Sequence, residues 1–272
     1  MAKENSNTLA QYNFSNLLKP TTKNLISING LIEAGKNILV WMLKGLLVFI
    51  ISITTAYLFW YIRAWIPSIV NYSFKSYAAL IDSIIFGVVP SYWMQQNFRS
   101  EILDIFLRWV WFSYAFVILF GSTFVFIFRA ETKRHLLSVL LTLSTGLLIH
   151  YLLPTEPPWM AIDGVVRIDG HQFSKLDKNL VAAMPSMHQA IICLLGCFLW
   201  NYGLLGKAIA IFYNFIMLIA LVYLGEHYAI DSFVGIFIAI TAWNISNKII
   251  IGFLNLKGYW YKWIPSLKID SP

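Results

Sequence analysis

Charge is scarce in this sequence. Only 12% of its 272 residues are Asp, Glu, Lys or Arg, about half the share of a soluble domain, while 58% are hydrophobic. That balance excludes a disordered chain, a coiled coil and an ordinary cytosolic enzyme. Cysteine is nearly missing too: Cys193 and Cys197 lie in one apolar run, so no disulfide framework is implied. Neither an HExxH pattern nor a thiolate set is present, and no metal or organic cofactor is expected. No internal repeat or low-complexity stretch breaks the chain. The first 35 residues are rich in Asn, Lys, Ser and Thr and lack the apolar core and cleavage site of a signal peptide, so they are expected to be retained.

Long apolar runs are what the chain has in abundance. A helix needs about 20 apolar residues to cross a hydrocarbon core of about 30 Å. Six runs are expected to do so: 37–61, 102–128, 136–153, 189–205, 208–224 and 230–253. The stretch 78–89 carries Asp82, ends at Pro90 and is too short to span, so it is expected to form an interfacial or re-entrant helix. The fold class that follows is an all-α integral membrane protein, a six-helix transmembrane bundle with a short interfacial helix and a long extracytoplasmic loop. Residues 1–35 form a polar cytoplasmic segment, 36–254 the membrane domain and 255–272 a short cytoplasmic tail. With the N-terminus inside, twelve Lys and Arg fall on inner segments and six on outer ones, Arg63 among the latter. The net charge of +7 thus suits loops facing an anionic cytoplasmic leaflet, as in a multi-pass plasma-membrane protein, and calls for no nucleic acid.

Polar residues gather in the outer loops. The loop 154–185 carries four acids, three bases and a histidine between two membrane helices, and runs into Pro185-Ser186-Met187-His188. A second, very short loop reads Gly225-Glu226-His227-Tyr228-Ala229-Ile230-Asp231. His188 and His227 are 39 residues apart, nearly the length of two membrane crossings, so both return to one membrane face. Asp231 follows His227 by four residues and shares its face if the helix already includes His227. A carboxylate there can hold one imidazole nitrogen and leave the other nucleophilic, with His188 available as a general acid. Such a set suits phosphoryl transfer from a lipid head group.

The two motifs, PSMH and HYAID, resemble the second and third motifs of the type 2 phosphatidic acid phosphatase superfamily. That resemblance implies a six-helix core without metal, in which His188 protonates the leaving group, His227 becomes a phosphohistidine and Asp231 orients it. Ala220-Leu221 stands where the family has Ser-Arg, and the first family motif, KxxxxxxRP, is absent. Pro157-Pro158-Trp159, followed by Arg167-Ile168-Asp169, is similar to the branch containing inositol phosphorylceramide synthase, and Glu226–Asp231 to the motif of sphingomyelin synthases. With the usual cations missing, Arg167 is the first candidate to grip phosphate, because an arginine holds two oxygens at once. Lys175, Lys178 and His171 stand behind it.

Three functions remain in play at this point. Transfer to water makes a lipid-phosphate phosphatase, with the bilayer and a phosphorylated lipid as partners. Transfer to an alcohol acceptor makes a head-group phosphotransferase. A non-catalytic lipid-binding protein would keep the same residues for packing. Asp231 and Ser186 have a structural role open to them as helix N-caps, and Ser186 is expected to be no more than that. The pair Cys193 and Cys197 is expected to pack rather than react.

Overall fold

The computed structural model describes residues 28–75, 77–128, 131–168 and 178–263, without side chains for 28–30 and 254–263. Among the described residues the regular elements are all helices: α1 (Ile28–Ile69), α2 (Tyr77–Phe86), α3 (Pro90–Phe98), α4 (Glu101–Ile127), α5 (Thr132–Leu152), the single turn α6 (Pro158–Ala161), α7 (Met187–Leu199), α8 (Gly203–Tyr223) and α9 (Ala229–Trp263). The chain divides into two compact units, Met1–Leu47 and Val48–Pro272. In the first, every described side chain of residues 31–47 is exposed or half-buried, although the helix is strongly apolar. Such a surface is stable only against lipid or protein. The site lies within the second unit.

Five helices, α1, α4, α5, α8 and α9, are long and apolar enough to cross a membrane, and α2 and α3 form a broken pair bent by 67°. The molecule is therefore an integral membrane bundle, with α2 and α3 where the re-entrant segment is expected. Helix α9 runs past residue 254 to Trp263, so the expected boundary of the C-terminal tail falls inside a helix.

The expected fourth span, 189–205, differs most. It is α7 and has only 13 residues, about 20 Å of helix. It stops because residues 200–202 turn, with Asn201 N–H donating to Phe198 O and Tyr202 N–H to Leu199 O, before α8 starts at Gly203. A helix this short is adequate because it meets protein instead of lipid. Helices α4, α5, α8 and α9 pack around it, and nine of its residues are buried. At its start Ser186 Oγ accepts the Gln189 N–H, the cap expected of this serine.

Close approach rather than hydrophobic driving force holds helices together inside a bilayer. Gly235 of α9 illustrates this: a Cβ there would collide with the Ser186 carbonyl and lie 3.4 Å from Ala190 N. The start of α7 therefore rests directly on the backbone of α9, and Ser186 N–H donates to the Asp231 carbonyl at 3.0 Å.

Candidate active site

His227 is positioned by the end of α8. The Leu221 carbonyl accepts the N–H groups of both Glu226 (3.1 Å) and His227 (3.2 Å), so the chain folds back tightly instead of continuing as helix. Gly225 makes this possible at φ +78°, and a Cβ there would press on the Val166 carbonyl at 2.9 Å. Gln95 of α3 braces the same corner. Its Nε2 donates to Val166 O and Tyr223 O, and its Oε1 accepts Val166 N–H. The segment leading to Arg167 is thereby fixed against the turn that carries His227.

The two histidines predicted from spacing meet. His188 Nδ1 lies 3.2 Å from His227 Nε2. The proton assignment follows from a third contact: His227 Nδ1 is 2.8 Å from the Ala183 carbonyl, which can only accept. Nδ1 therefore carries the proton, Nε2 presents its lone pair, and His188 Nδ1 donates to it. Here the observed arrangement departs from expectation. Asp231 was expected to hold His227 by a hydrogen bond, but α9 begins two residues after the histidine and Asp231 Oδ2 stands 3.6 Å from Nδ1. That oxygen accepts the Tyr228 N–H at 2.9 Å, so Asp231 caps α9 and acts on the imidazole as a nearby charge.

Aromatic rings fix His188. Tyr114 meets its ring edge-on with centroids 4.1 Å apart, and Trp111 lies at 5.7 Å. Both imidazoles line a cavity of about 420 Å³. One end of it is polar, with Arg63, His150, Arg167, Asn179 and Glu226; the other is apolar, walled by Phe59, Ile118, Leu119, Leu143 and Ile191.

Arg167 lines this cavity. Its guanidinium is bound to Glu226, Nε to Oε1 at 2.6 Å and Nη2 to Oε2 at 3.3 Å, and lies 5.0 Å over the Trp159 ring. Lys178 is elsewhere: it is exposed and borders a smaller groove beside Trp60 and Ser68. His171 and Lys175 lie outside the described residues. Among the described residues, no group of three His, Cys, Asp or Glu comes together as a metal site would require.

Two cavity residues were not singled out from the sequence. Arg63 reaches in from α1, where Nη2 donates to Asn179 O while Asn179 Nδ2 donates back to Arg63 O, both at 3.0 Å. His150, buried at the end of α5, donates Nε2–H to the Pro185 carbonyl at 3.2 Å and leaves Nδ1 as an unprotonated acceptor. No local motif marks either residue. The available signal was an ionisable side chain at the end of an apolar run, on the same membrane face as the histidine pair.

A family model described as the PAP2 superfamily matches residues 82–245, more than half of the chain. The fold is similar to the crystal structure of Aquifex aeolicus LpxE, at 22% identity and a TM-score of 0.51, over 65% of this chain and 99% of that one. No curated protein matches.

Proposed function

The chain belongs to the PAP2 superfamily, and we propose that within it the protein is a lipid-phosphate phosphatase working through a phosphohistidine. Family membership supports a membrane lipid phosphatase. The observation that carries the finer reading is the His188–His227 contact, with its assigned protons, beside two arginines in a cavity with one apolar end.

In this scheme the lipid phosphate displaces the His188 N–H from His227 Nε2 and takes its place there, with its tail along Phe59, Leu119 and Ile191. His227 Nε2 attacks phosphorus, the bond from phosphorus to the lipid oxygen breaks, and His188, in its imidazolium form, gives that oxygen its proton. The Ala183 carbonyl keeps Nδ1 protonated and Nε2 aimed at the cavity, and the Asp231 carboxylate offsets the positive charge of the phosphorylated ring. Arg167 exchanges Glu226 for phosphoryl oxygens, and Arg63 supplies a second positive charge. Such transfers depend on positioning and charge stabilisation. Water then attacks the phosphohistidine and loses a proton to His188, which releases phosphate and restores both rings. No step uses a metal. The twofold excess of Lys and Arg on the opposite loops supports a site facing away from the cytoplasm.

A phosphotransferase is the second reading, and one observation favours it. Trp159 and Arg167, which belong to the PPW and RID segments similar to inositol phosphorylceramide synthase, both line the histidine cavity. An alcohol would then replace water in the second step.

The test is phosphate release from lipid monophosphates and diphosphates by purified protein in EDTA, beside His227→Ala, with and without inositol. EDTA-resistant release lost in the variant is the expected result. A phosphorylated alcohol without free phosphate would move the assignment to the transferase. A well-folded wild type that leaves every substrate intact would overturn both.

A further inference from the structure

An aspartate inside an apolar membrane helix is expensive to keep and marks function by default. Asp82 is such a residue. It sits in α2, among Tyr77-Ala-Ala-Leu-Ile before it and Ser-Ile-Ile-Phe86 after it, and is fully buried. The scheme above gives it no task.

Its carboxylate reaches 147 residues along the chain. Oδ2 accepts the Ala229 N–H at 2.8 Å and Oδ1 accepts the Ile230 N–H at 2.9 Å. Together with the Tyr228 N–H on Asp231, three successive amides after His227 each end on a carboxylate oxygen. These are the groups that a helix start leaves without backbone partners, and they carry the positive end of its dipole. Hydrogen bonds from amide to carboxylate are short and strong, which offsets the burial of the charge. Ala78 and Ala79, on the same face of α2, pack with Tyr228 and seal the contact.

The two carboxylates are not equivalent. Asp231 belongs to the helix it caps and moves with it. Asp82 belongs to another element, so of the two it is the one that ties the first turn of α9, and the histidine just before it, to α2. We infer that Asp82 is a positioning residue for His227: by gripping Ala229 and Ile230 from α2 it sets where Nε2 stands relative to His188 and to phosphorus. This rests on the nucleophile role proposed above for His227.

Asp82→Asn tests it with little change of shape. The amide keeps one oxygen for one N–H and turns an NH2 group toward the other. On whichever lipid phosphate the wild type turns over, kcat per folded molecule is expected to fall 10- to 100-fold, with KM within twofold and an elution profile in detergent like that of the wild type. Asp82→Ala is expected to lose more, and Ser83→Ala, one residue along on α2, to stay within twofold. A capping role for stability alone predicts the opposite split: a lower unfolding temperature with kcat per folded molecule unchanged, which would overturn the proposal. If the wild type turns over no lipid phosphate, the nucleophile reading fails but the placement is still measurable. The histidine ¹⁵N resonances, assigned for His227 through His227→Asn, would be displaced in Asp82→Asn; an unmoved His227 signal would overturn the placement.

Discussion

Helix α5 carries a buried histidine near each end, and their surroundings differ in kind. At its start, His135 Nδ1 is paired with Ser122 Oγ at 3.1 Å and its ring meets Trp243 edge-on. Nearby, Arg134 stacks on the same tryptophan at 4.0 Å, and Ser138 is bonded to Ser246. Fifteen residues later, about 22 Å along the helix, His150 joins His188 and His227 around an open cavity with two arginines and Glu226. Burial is common to both ends. What separates them is the partner of each nitrogen: a hydroxyl and an aromatic face satisfy the His135 ring, whereas the Pro185 carbonyl takes one nitrogen of His150 and leaves Nδ1 an acceptor without a hydrogen bond. A buried histidine is thus informative only once its hydrogen bonds have been assigned.

The contrast is broken most sharply by His227→Ala, expected to abolish turnover by about 10⁵-fold or more, as removal of a nucleophile does; single-turnover assays with ³²P-labelled lipid should detect no phosphoenzyme. His188→Ala is expected to cost about 10²–10⁴-fold in kcat on an alkyl phosphate. A nitrophenyl phosphate, whose leaving group needs no proton, should recover most of that loss, and equal losses on both substrates would remove His188 from the acid role. Arg167→Ala is expected to lower kcat/KM by about 10²-fold, with Arg167→Lys in between because it keeps charge but not the two-pronged geometry. The smallest effect on turnover belongs to the other end of α5. His135→Ala should leave activity within twofold while lowering stability by about 1–3 kcal/mol, since Ser122 loses its buried partner; thermal unfolding in detergent reads this. If His135→Ala matched His188→Ala in activity, the distinction between the two ends would fail.

The encounter of His188 and His227 was legible because a distance along the chain converts into a distance in space whenever the intervening chain crosses a bilayer twice. Asp231, four residues on, was legible for the same reason, although its first bond goes to the Tyr228 amide instead of the imidazole. The Ala183 carbonyl that holds His227 was not legible, since every residue has a carbonyl and only the path of the loop selects one. Arg63 and His150 enter from helices whose apolar pattern fixes their type but not their neighbours. Hydropathy also could not distinguish α7, an apolar helix wrapped by protein, from an apolar helix facing lipid, so its length was overread.

Gly235 has a consequence for tolerance. Where α9 meets Ser186 and Ala190, the contact is main chain against main chain, without an intervening side chain to change rotamer or compress. That junction is a hard stop in the mechanical sense, and the helix start bearing His188 is referenced to α9 through it. In the proposed scheme the α7 side of the phosphate site then has little freedom to yield, and variation in a lipid would be absorbed by the apolar side chains of the cavity.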